Sequence, residues 1–305
     1  GGLREPFGLA GRDRLLAWIP EAKETAGLAL ETIKRVHHDL EHVIPSYGNF
    51  RSLFMGLVGH DGTLEYYGGH LRFADSDGNV IADHVDPRDY QTYIGEATEP
   101  WSYLKFPYFK PMGYPKGMYR VGPLARLNIC DRIDTPLAEQ ERQAFTALAP
   151  HGGAVNNSFY FHYARLIELL FAVEKAEQLL QDPALLGTHV RARAMINQFT
   201  GVGASEAPRG TLFHDYEVDH NGVLRRANLL IATAQNNLAM NRTVRQLAVD
   251  LLDGHAITEG LLNRIEAGIR CFDPCLSCST HAIGEMPLHV RLVGPGGVLL
   301  GERRR

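Results

Sequence analysis

The stretch Asp273-Pro274-Cys275-Leu276-Ser277-Cys278-Ser279-Thr280-His281 sets three potential metal ligands at equal spacing near the end of this 305-residue sequence. Residues three apart share one face of a helix, so Cys275, Cys278 and His281 would point the same way. Asp273 suits an N-cap and Pro274 a first helical turn, where unpaired N–H groups favour a thiolate. The spacing therefore predicts a helix start that presents two thiolates to a soft or borderline metal.

Three interpretations of these cysteines remain open from the residues alone: a metal site, a redox pair and inert thiols. A structural zinc site normally takes four ligands, and the sequence contains no second Cys-x-x-Cys. A thioredoxin-like redox motif would follow a strand, whereas helices precede this one. Cys130 could complete a metal site only if folding brought it close. A metal site is the favoured interpretation of the three.

The composition is that of an ordinary globular protein, with 45% hydrophobic and 22% charged residues and a net charge of -4. These values do not indicate nucleic acid or a membrane surface as the main partner. The sequence shows neither a long apolar run nor a basic-then-apolar leader at its start. Three of the four cysteines are clustered, which is unlike a disulfide framework, so we expect a cytoplasmic protein.

The pattern of apolar and turn residues predicts helices mixed with short strands. Apolar periodicity and flanking prolines predict five helices: about 20–44, 136–148, 157–181, 236–252 and 258–270. Alternating or continuous apolar runs predict the strands: 53–58, 63–67, 70–73 and 80–85, a hairpin within 211–232 around Asn221-Gly222, and a last hairpin within 288–300. Residues 86–135 are expected to be ordered but irregular, and Gly201-Val202-Gly203 to form a turn.

Several segments together resemble the large subunit of nickel–iron hydrogenases. The C-terminal Asp-Pro-Cys-x-x-Cys-x-x-His is similar to that family's signature, and four further segments agree with it: Trp101 to Pro107, Tyr119 to Asn128, Glu206-Ala207-Pro208-Arg209-Gly210, and Thr233-Ala234-Gln235-Asn236-Asn237. The first two resemble the cytoplasmic, bidirectional, NAD(P)-linked branch. The resemblance runs over essentially the whole chain.

The resemblance implies a role for each matching residue. Cys275 resembles the terminal nickel ligand, Cys278 the thiolate that bridges nickel and iron, and His281 a magnesium ligand. Arg209 resembles the guanidinium poised over the open metal position, and Thr233 the residue that hydrogen-bonds an iron-bound cyanide. Pro208 and Asp273 resemble supporting residues next to them.

The resemblance also implies a fold and a domain organisation. It predicts a predominantly helical α+β fold, a hydrogenase large-subunit-like helix bundle with small peripheral β-sheets. Residues 1–281 would be the C-terminal part of the large-subunit domain. Residues 282–305 would be a precursor extension, removed during maturation by cleavage between His281 and Ala282.

One part of the family pattern is missing from the sequence. The family supplies two more thiolates from an N-terminal Arg-x-Cys-Gly-x-Cys motif, and no such motif occurs here. Cys130 is single and lacks the flanking glycine. We therefore expect an N-terminally truncated sequence that is inactive as it stands.

The function implied by the resemblance is reversible, heterolytic cleavage of dihydrogen, with Cys275 or Arg209 receiving the proton. The implied cofactors are a nickel–iron centre with cyanide and carbonyl ligands and a magnesium ion. Iron–sulfur clusters and flavin or NAD(P) would belong to partner proteins: a diaphorase module and a small iron–sulfur subunit. Maturation would require an endopeptidase and nickel-insertion factors. The alternatives are a related hydrogenase with another electron acceptor and a non-catalytic subunit like one in respiratory complex I.

Other polar patterns receive simpler interpretations. His38 and His42 are expected on a solvated helix face, and Glu168 and Glu174 on different faces of their helix. Basic and aromatic residues are interleaved in one region and predict a subunit interface rather than a nucleic-acid surface: Lys105, Lys110, Lys116 and Arg120.

Overall fold

A computed structural model describes residues 3–192, 197–251, 257–275 and 289–304. Within those ranges the chain forms eight α-helices: α1 Leu9–Asp39, α2 Tyr90–Tyr93, α3 Pro123–Ile129, α4 Pro136–Thr146, α5 Phe161–Gln181, α6 Ala232–Gln235, α7 Asn237–Leu251 and α8 Glu259–Arg270. It also forms eleven strands: β1 Leu53–Val58, β2 His70–Ala74, β3 Val80–Val85, β4 Ile94–Glu99, β5 Ser102–Phe109, β6 Tyr119–Arg120, β7 Thr200–Ala207, β8 Gly210–Val218, β9 Leu224–Leu230, β10 His289–Val293 and β11 Leu299–Arg304.

The predicted α+β class is confirmed, but a predominantly helical chain is not, because strands and connecting segments account for much of the described sequence. Helices α1, α3 and α4 all pack against α5. Their apolar residues meet in one core, which also takes in Cys271 and Phe272. Burial of this continuous apolar surface is what holds the long helices together.

Helix α1 begins eleven residues earlier than predicted and contains Pro20 in its interior. Proline there removes one backbone hydrogen bond and disfavours a straight helix. The helix nevertheless continues, because Ile19, Ala26 and Leu30 are buried on one side of it. It ends at Asp39, and Pro45 lies in a following 3-10 turn, so the predicted end near residue 44 is also displaced.

A four-stranded sheet with the order β3-β2-β1-β6 forms the second structural layer. The predicted bounds of β1 and β3 are confirmed, and all six residues of β1 are buried. The predicted strand at 63–67 is wrong, since this segment makes only isolated bridges, such as Val58 with Leu64. Strand β6 joins β1 in parallel and leads directly into α3.

The remaining strands form a three-stranded sheet, β7-β8-β9, and two hairpins, β4-β5 and β10-β11. The predicted hairpin around Asn221-Gly222 and the last hairpin are confirmed by β8-β9 and β10-β11. Residues 86–135 are more regular than predicted, because they contain β4, β5 and α3. The segment Gly201-Val202-Gly203 lies inside β7 rather than in a turn, held by pairing with β8 along its whole length.

The predicted helices at 136–148, 157–181, 236–252 and 258–270 are confirmed by α4, α5, α7 and α8 within a few residues. Asp182-Pro183 follows the end of α5 as expected. Among the helices that the structure describes, none combines the length and apolar character needed to cross a bilayer.

Candidate metal centre

Four of the predicted site residues come together from three separate parts of the chain. Arg209, in the two-residue turn between β7 and β8, donates from Nε to the backbone oxygen of Asp273 at 2.5 Å. Its Nε also lies 3.2 Å from Oδ2 of Asp273. The backbone N–H of Cys275 donates to Oγ1 of Thr233, in α6, at 3.2 Å. Cys278, His281 and Ala282 lie outside the described residues.

The local structure around Asp273 differs from the predicted helix start. Asp273 has a φ of 50°, in the left-handed region, and residues 273–275 are not helical. An N-cap normally has extended φ and ψ and uses its side chain to accept from the helix. Here the carboxylate and carbonyl of Asp273 face Arg209 instead. Cys275 is therefore positioned by Thr233 and by the turn at Asp273, not by a first helical turn.

Cys271 and Phe272 anchor the segment that carries Cys275. Cys271 is completely buried, and its carbonyl accepts a hydrogen bond from Nη2 of Arg165 at 3.0 Å. The ring of Phe272 lies 4.9 Å from that of Phe161. Burial raises the pKa of Cys271 to about 12. In the absence of a bound cation Cys271 is therefore a protonated core thiol, and its Sγ donates to the carbonyl of Ala267 at 3.4 Å.

Cys130 does not complete the site either. It follows α3 in the helical core and is 5% exposed. Burial raises the pKa of Cys130 to about 12, so the thiolate form that binds metals is strongly disfavoured.

The turn that carries Arg209 is held by a buried ion-pair network around Arg126. Nε and Nη2 of Arg126 donate to the two carboxylate oxygens of Glu168 at 2.7 and 2.6 Å. Nη1 donates to Glu206 at 2.6 Å and to the carbonyl of Ala207 at 3.0 Å, and Nη2 reaches the carbonyl of Pro208 at 3.3 Å. Arg126 thus fixes the side chain of Glu206 and the backbone carbonyls of Ala207 and Pro208, which precede Arg209.

Glu206 is itself fixed from two further directions. Its Oε1 accepts from the backbone N–H of Leu57 at 2.8 Å and from Oγ1 of Thr211 at 2.7 Å. The side chain of Glu206 is fully buried. Charge-assisted hydrogen bonds of this kind are about twice as strong as neutral ones. The network therefore ties the Arg209 turn to β1, β8, α3 and α5.

Two glycines allow the Arg209 turn to approach α3 closely. A Cβ on Gly122 would lie 2.7 Å from the carbonyl oxygen of Arg209. Gly210 has a φ of 138°, and a Cβ there would lie 2.3 Å from Cγ2 of Val121. Only glycine fits both positions without displacing backbone.

The polar residues that follow Thr233 are buried and bonded to neighbouring backbone. Gln235 accepts from the hydroxyl of Tyr119 at 2.9 Å and donates to the carbonyl of Thr211 at 2.5 Å. Asn236 bonds both the N–H and the carbonyl of Val121, at 3.0 and 3.3 Å. Buried amides with satisfied donors and acceptors fix one arrangement of the packed segments. They hold Thr233 in register with the Arg209 turn.

Sequence reasoning missed the structural importance of Arg126, Glu168 and Glu206. The prediction that Glu168 and Glu174 face different ways is confirmed: Glu168 pairs with Arg126, while Glu174 accepts the backbone N–H groups of Leu137 and Ala138 in α4. The available signal was the presence of two glutamates within an apolar helix, since buried carboxylates need partners.

The other polar predictions have mixed outcomes. His38 and His42 are exposed, as expected for a solvated surface, although α1 ends before His42. Of the predicted basic interface, Lys105, Lys110 and Lys116 are exposed. Arg120 is completely buried, so its inclusion in a surface patch is wrong.

The chain belongs to the nickel-dependent hydrogenase family, whose model matches residues 66–281. The chain is 42% identical, over its whole length and 64% of the relative's, to the beta subunit of the NAD-reducing hydrogenase HoxS of Cupriavidus necator. It is 39% identical to a chain of the vhc F420-non-reducing hydrogenase of Methanococcus voltae, over 98% of this chain and 64% of that protein. The chain thus spans just under two thirds of the length of these relatives.

Solved structures show the same relationship. A crystal structure of an NAD+-reducing [NiFe]-hydrogenase in the H2-reduced state matches with a TM-score of 0.87 and 42% identity, covering 92% of this chain and 62% of that one. A [NiFeSe] hydrogenase variant from Desulfovibrio vulgaris Hildenborough matches with a TM-score of 0.62 over 92% of this chain and 63% of that one. Its identity is 16%, so this second likeness shows the fold alone.

The described residues fit one side of the metal centre that the family implies. Cys275 is of the residue type whose sulfur nickel and iron accept, its backbone is fixed by Thr233, and the Arg209 guanidinium contacts Asp273, two residues before it. The other two cysteines in the described part of the chain, Cys130 and Cys271, are buried in the helical core.

Proposed function

We propose that this chain is part of the catalytic large subunit of a nickel–iron hydrogenase that cleaves dihydrogen heterolytically and reversibly. The convergence of Arg209, Thr233 and Cys275 around Asp273 supports this proposal, because these residues match the family's motifs and come from distant parts of the sequence. The family match and the names of the relatives, all hydrogenases, agree with it. They do not favour the non-catalytic, complex-I-like alternative.

The proposed ligands are Cys275 as a terminal nickel ligand, Cys278 as the bridging thiolate and His281 as a magnesium ligand. Thr233 would hydrogen-bond a cyanide on iron, beside a carbonyl ligand. A bound nickel–iron centre supplies the redox-active Lewis acid that dihydrogen cleavage requires. Within this chain, Cys275 is the proposed proton acceptor, and Pro208 and Asp273 support the groups around it.

Arg209 is proposed to act through its charge and position. Asp273 holds Nε through both its carbonyl and its carboxylate, and Arg126 fixes the backbone before it. A fixed guanidinium stabilises negative charge without having to reorganise during the reaction. Since the Arg209 side chain is 38% exposed, part of it remains available to face the site.

The proposed C-terminal extension, residues 282–305, includes the β10-β11 hairpin. Val290 and Leu292 of this hairpin face the same apolar cavity as Leu261 and Ile265 of α8. Nε of Arg303 reaches the carbonyl of Ile257 at 3.5 Å. The extension thus covers one face of α8, and we propose its removal between His281 and Ala282 by a maturation endopeptidase after nickel insertion. An intact mass of the active protein that still contains the extension would overturn this proposal.

The proposed partners are a diaphorase module, which passes electrons to NAD(P) in the cytoplasm, and a small iron–sulfur subunit. The NAD-reducing relative, which is similar over the whole chain, supports this choice of acceptor. A second candidate is a hydrogenase with another acceptor. The relatives named F420-non-reducing hydrogenases, at 37–41% identity, do not favour it, because their name identifies no acceptor.

Metal content tests the proposal directly. The protein, purified from its native host and separated from its partners, should hold about one nickel and one iron per chain. The Cys275→Ser variant should lose the nickel, whereas the matched Cys130→Ala variant should keep it, because Cys130 is a core thiol. Arg209→Lys should keep both metals and lower dihydrogen oxidation about a hundredfold.

Zinc or no metal in the native protein would overturn the proposed function. An equal loss of nickel in the Cys275→Ser and Cys130→Ala variants would show that the loss reflects misfolding rather than the removal of a ligand. Normal nickel and iron together with electron transfer to an acceptor other than NAD(P) would favour the second candidate.

A further inference from the structure

Three histidines meet at one end of the four-stranded sheet. His60 lies in the turn after β1, His70 opens β2, and His84 is next to the last residue of β3. One nitrogen from each ring can be chosen so that all three lie within 4.8 Å of one another. Nε2 of His70 is 2.9 Å from Nε2 and 3.1 Å from Nδ1 of His60. Within the described ranges no other cluster of His, Cys, Asp and Glu meets the same geometric condition.

The pairing register of β1, β2 and β3 determines where these histidines lie. Val58 pairs with His70, and Leu71 pairs with Val85, so the ends of the three strands lie side by side. Sites built on sheet residues are held more rigidly than sites on free loops. The backbone of the sheet therefore holds the imidazoles of His70 and His84 next to each other, and the turn after β1 brings that of His60 to them.

The backbone at His84 is unusual. Its φ is 51°, and the β2-β3 register shifts between Leu71 and Phe73. A left-handed conformation is uncommon for a residue other than glycine, and irregularities of this kind re-aim side chains at sheet edges. The ring of His84 lies 5.8 Å from that of His70 and 6.4 Å from that of His60.

His70 has an unsatisfied polar atom. Its Nδ1 is buried and has no hydrogen-bond partner among the described residues. His60 and His84 are exposed, so an ion can reach the cluster from solvent.

The charged groups around the cluster are paired with one another. Asp83 lies 3.9 Å from Nε2 of His84 but is bound by Arg72 at 3.0 Å. Asp86, which interacts electrostatically with His70, is bound by Arg88. The immediate surroundings are therefore close to neutral, and the imidazole nitrogens are the available ligands.

We propose that His60, His70 and His84 form a binding site for a divalent first-row transition-metal ion such as Zn²⁺, with water in the fourth position. Neutral imidazole suits zinc, at an N–Zn distance of about 2.0–2.1 Å, and tetrahedral geometry then places ligand nitrogens about 3.3 Å apart. The 3.1 Å between Nε2 of His70 and Nδ1 of His60 is close to that value, and a nitrogen of His84 lies within 4.8 Å of the other ligand atoms, so small rotations of the side chains complete the site. The bound ion ties together the ends of β1, β2 and β3.

The test is a Zn²⁺ titration of the full chain, stripped of metal, followed by calorimetry and by X-ray absorption at the zinc edge. The chain contains the cysteines Cys275 and Cys278, so the titration is performed in a Cys275→Ser/Cys278→Ser background. We expect one zinc with only nitrogen and oxygen neighbours. His84→Gln and His60→Gln should each weaken binding at least about tenfold, since even removal of an outer-shell partner costs that much.

The matched control is His38→Gln, which changes an exposed histidine elsewhere and should leave zinc affinity unchanged. Zinc should raise the melting temperature of the parent chain but not that of His84→Gln. Equal affinity in the parent and in both cluster variants, or sulfur neighbours in the absorption spectrum, would overturn the proposal. If His84→Gln fails to fold without zinc, the exposed His60→Gln variant decides the question.

Discussion

Two buried arginines, six positions apart in the sequence, are stabilised in the protein interior by different kinds of partner. Arg126 is surrounded by two carboxylates, those of Glu168 and Glu206. Arg120 has no carboxylate partner among the described residues and instead donates to two backbone carbonyls and to the hydroxyls of Ser52 and Ser158.

The electrostatic consequences are opposite. Although burial by itself lowers the pKa of Arg126, the carboxylates of Glu168 and Glu206 raise it well above its ordinary value. Burial lowers the pKa of Arg120 to about 9, with a contribution from the charge of Arg242. The rings of Phe50 and Phe54, with centroids 4.1 and 5.9 Å from the guanidinium of Arg120, compensate part of the lost hydration.

The difference shows what each residue does in the fold. Arg126 connects elements that lie far apart in sequence and fixes the turn before Arg209, so it positions the candidate metal centre. Arg120 fastens the segment at Gly48–Ser52 to the start of α5 with weaker and longer hydrogen bonds. Charge pairing therefore marks the region that needs a fixed geometry.

The largest expected effect is that of Arg126→Leu. It leaves the carboxylates of Glu168 and Glu206 buried and unpaired, which should lower the free energy of unfolding by about 3–5 kcal/mol. Urea unfolding of the full chain measures this loss. The combined variant Arg126→Leu/Glu168→Leu/Glu206→Gln removes the unpaired charges and should recover most of it. A loss smaller than that of the Arg120 variant would contradict the comparison.

Arg120→Leu should have a smaller effect, about 1–2 kcal/mol, because it removes hydrogen bonds but leaves no buried charge behind. The same unfolding experiment measures it. The control is Arg51→Leu, which breaks an ion pair with Asp77 between two exposed side chains and should cost less than about 0.5 kcal/mol. An Arg120→Leu loss as large as that of Arg126→Leu would show that the carboxylates do not explain the contrast.

Two half-buried histidines make the stability of the fold depend on pH, because burial opposes their positive charge as it does that of Arg120. Burial lowers the pKa of His37 to about 4, helped by the neighbouring His162, and burial also lowers the pKa of His162 to about 4. Between about pH 6.5 and 4 the unfolded chain binds protons that the folded chain does not. Their contribution to stability is therefore complete above pH 6.5 and is lost as the pH falls towards 4.

Melting temperatures between pH 7 and pH 4.5 measure this effect, which we expect to be the smallest of the three, about 1 kcal/mol, because solvent screens both side chains. His37→Phe should flatten the pH dependence, whereas His38→Gln, at an exposed position, should leave it unchanged. If the melting temperature of the His37→Phe variant falls with pH as steeply as that of the parent, His37 does not contribute to the pH dependence of stability.

Local signals were sufficient for much of the fold. The mostly apolar run of β1, the Asn221-Gly222 turn and the Asp182-Pro183 stop all predicted elements that the structure confirms. The wrong predictions occur where helix packing or strand pairing outweighs the structural preference of the local sequence. Pro20 lies inside α1, because the packed face of the helix outweighs one lost hydrogen bond. Strand β7 contains Gly201 and Gly203 and is held by its pairing with β8.

The candidate site was predictable as a set of motifs but not as a geometry. The pattern around Cys275, with Arg209 and Thr233, singled out the correct family. It did not predict the left-handed backbone of Asp273, which removes the expected N-cap and turns this residue towards Arg209.

The sequence by itself determined the periodicity of the helices, the turns and the spacing of the cysteines, because these depend on residues within a few positions of one another. Only the tertiary structure decided the partners of Arg126, which lie 42 and 80 positions away, and the contact of Arg209 with Asp273, 64 positions away. It also decided the meeting of His60, His70 and His84 at the sheet end. Such contacts have no local signature, since they depend on how the packed elements bring distant side chains out of water and into reach of one another.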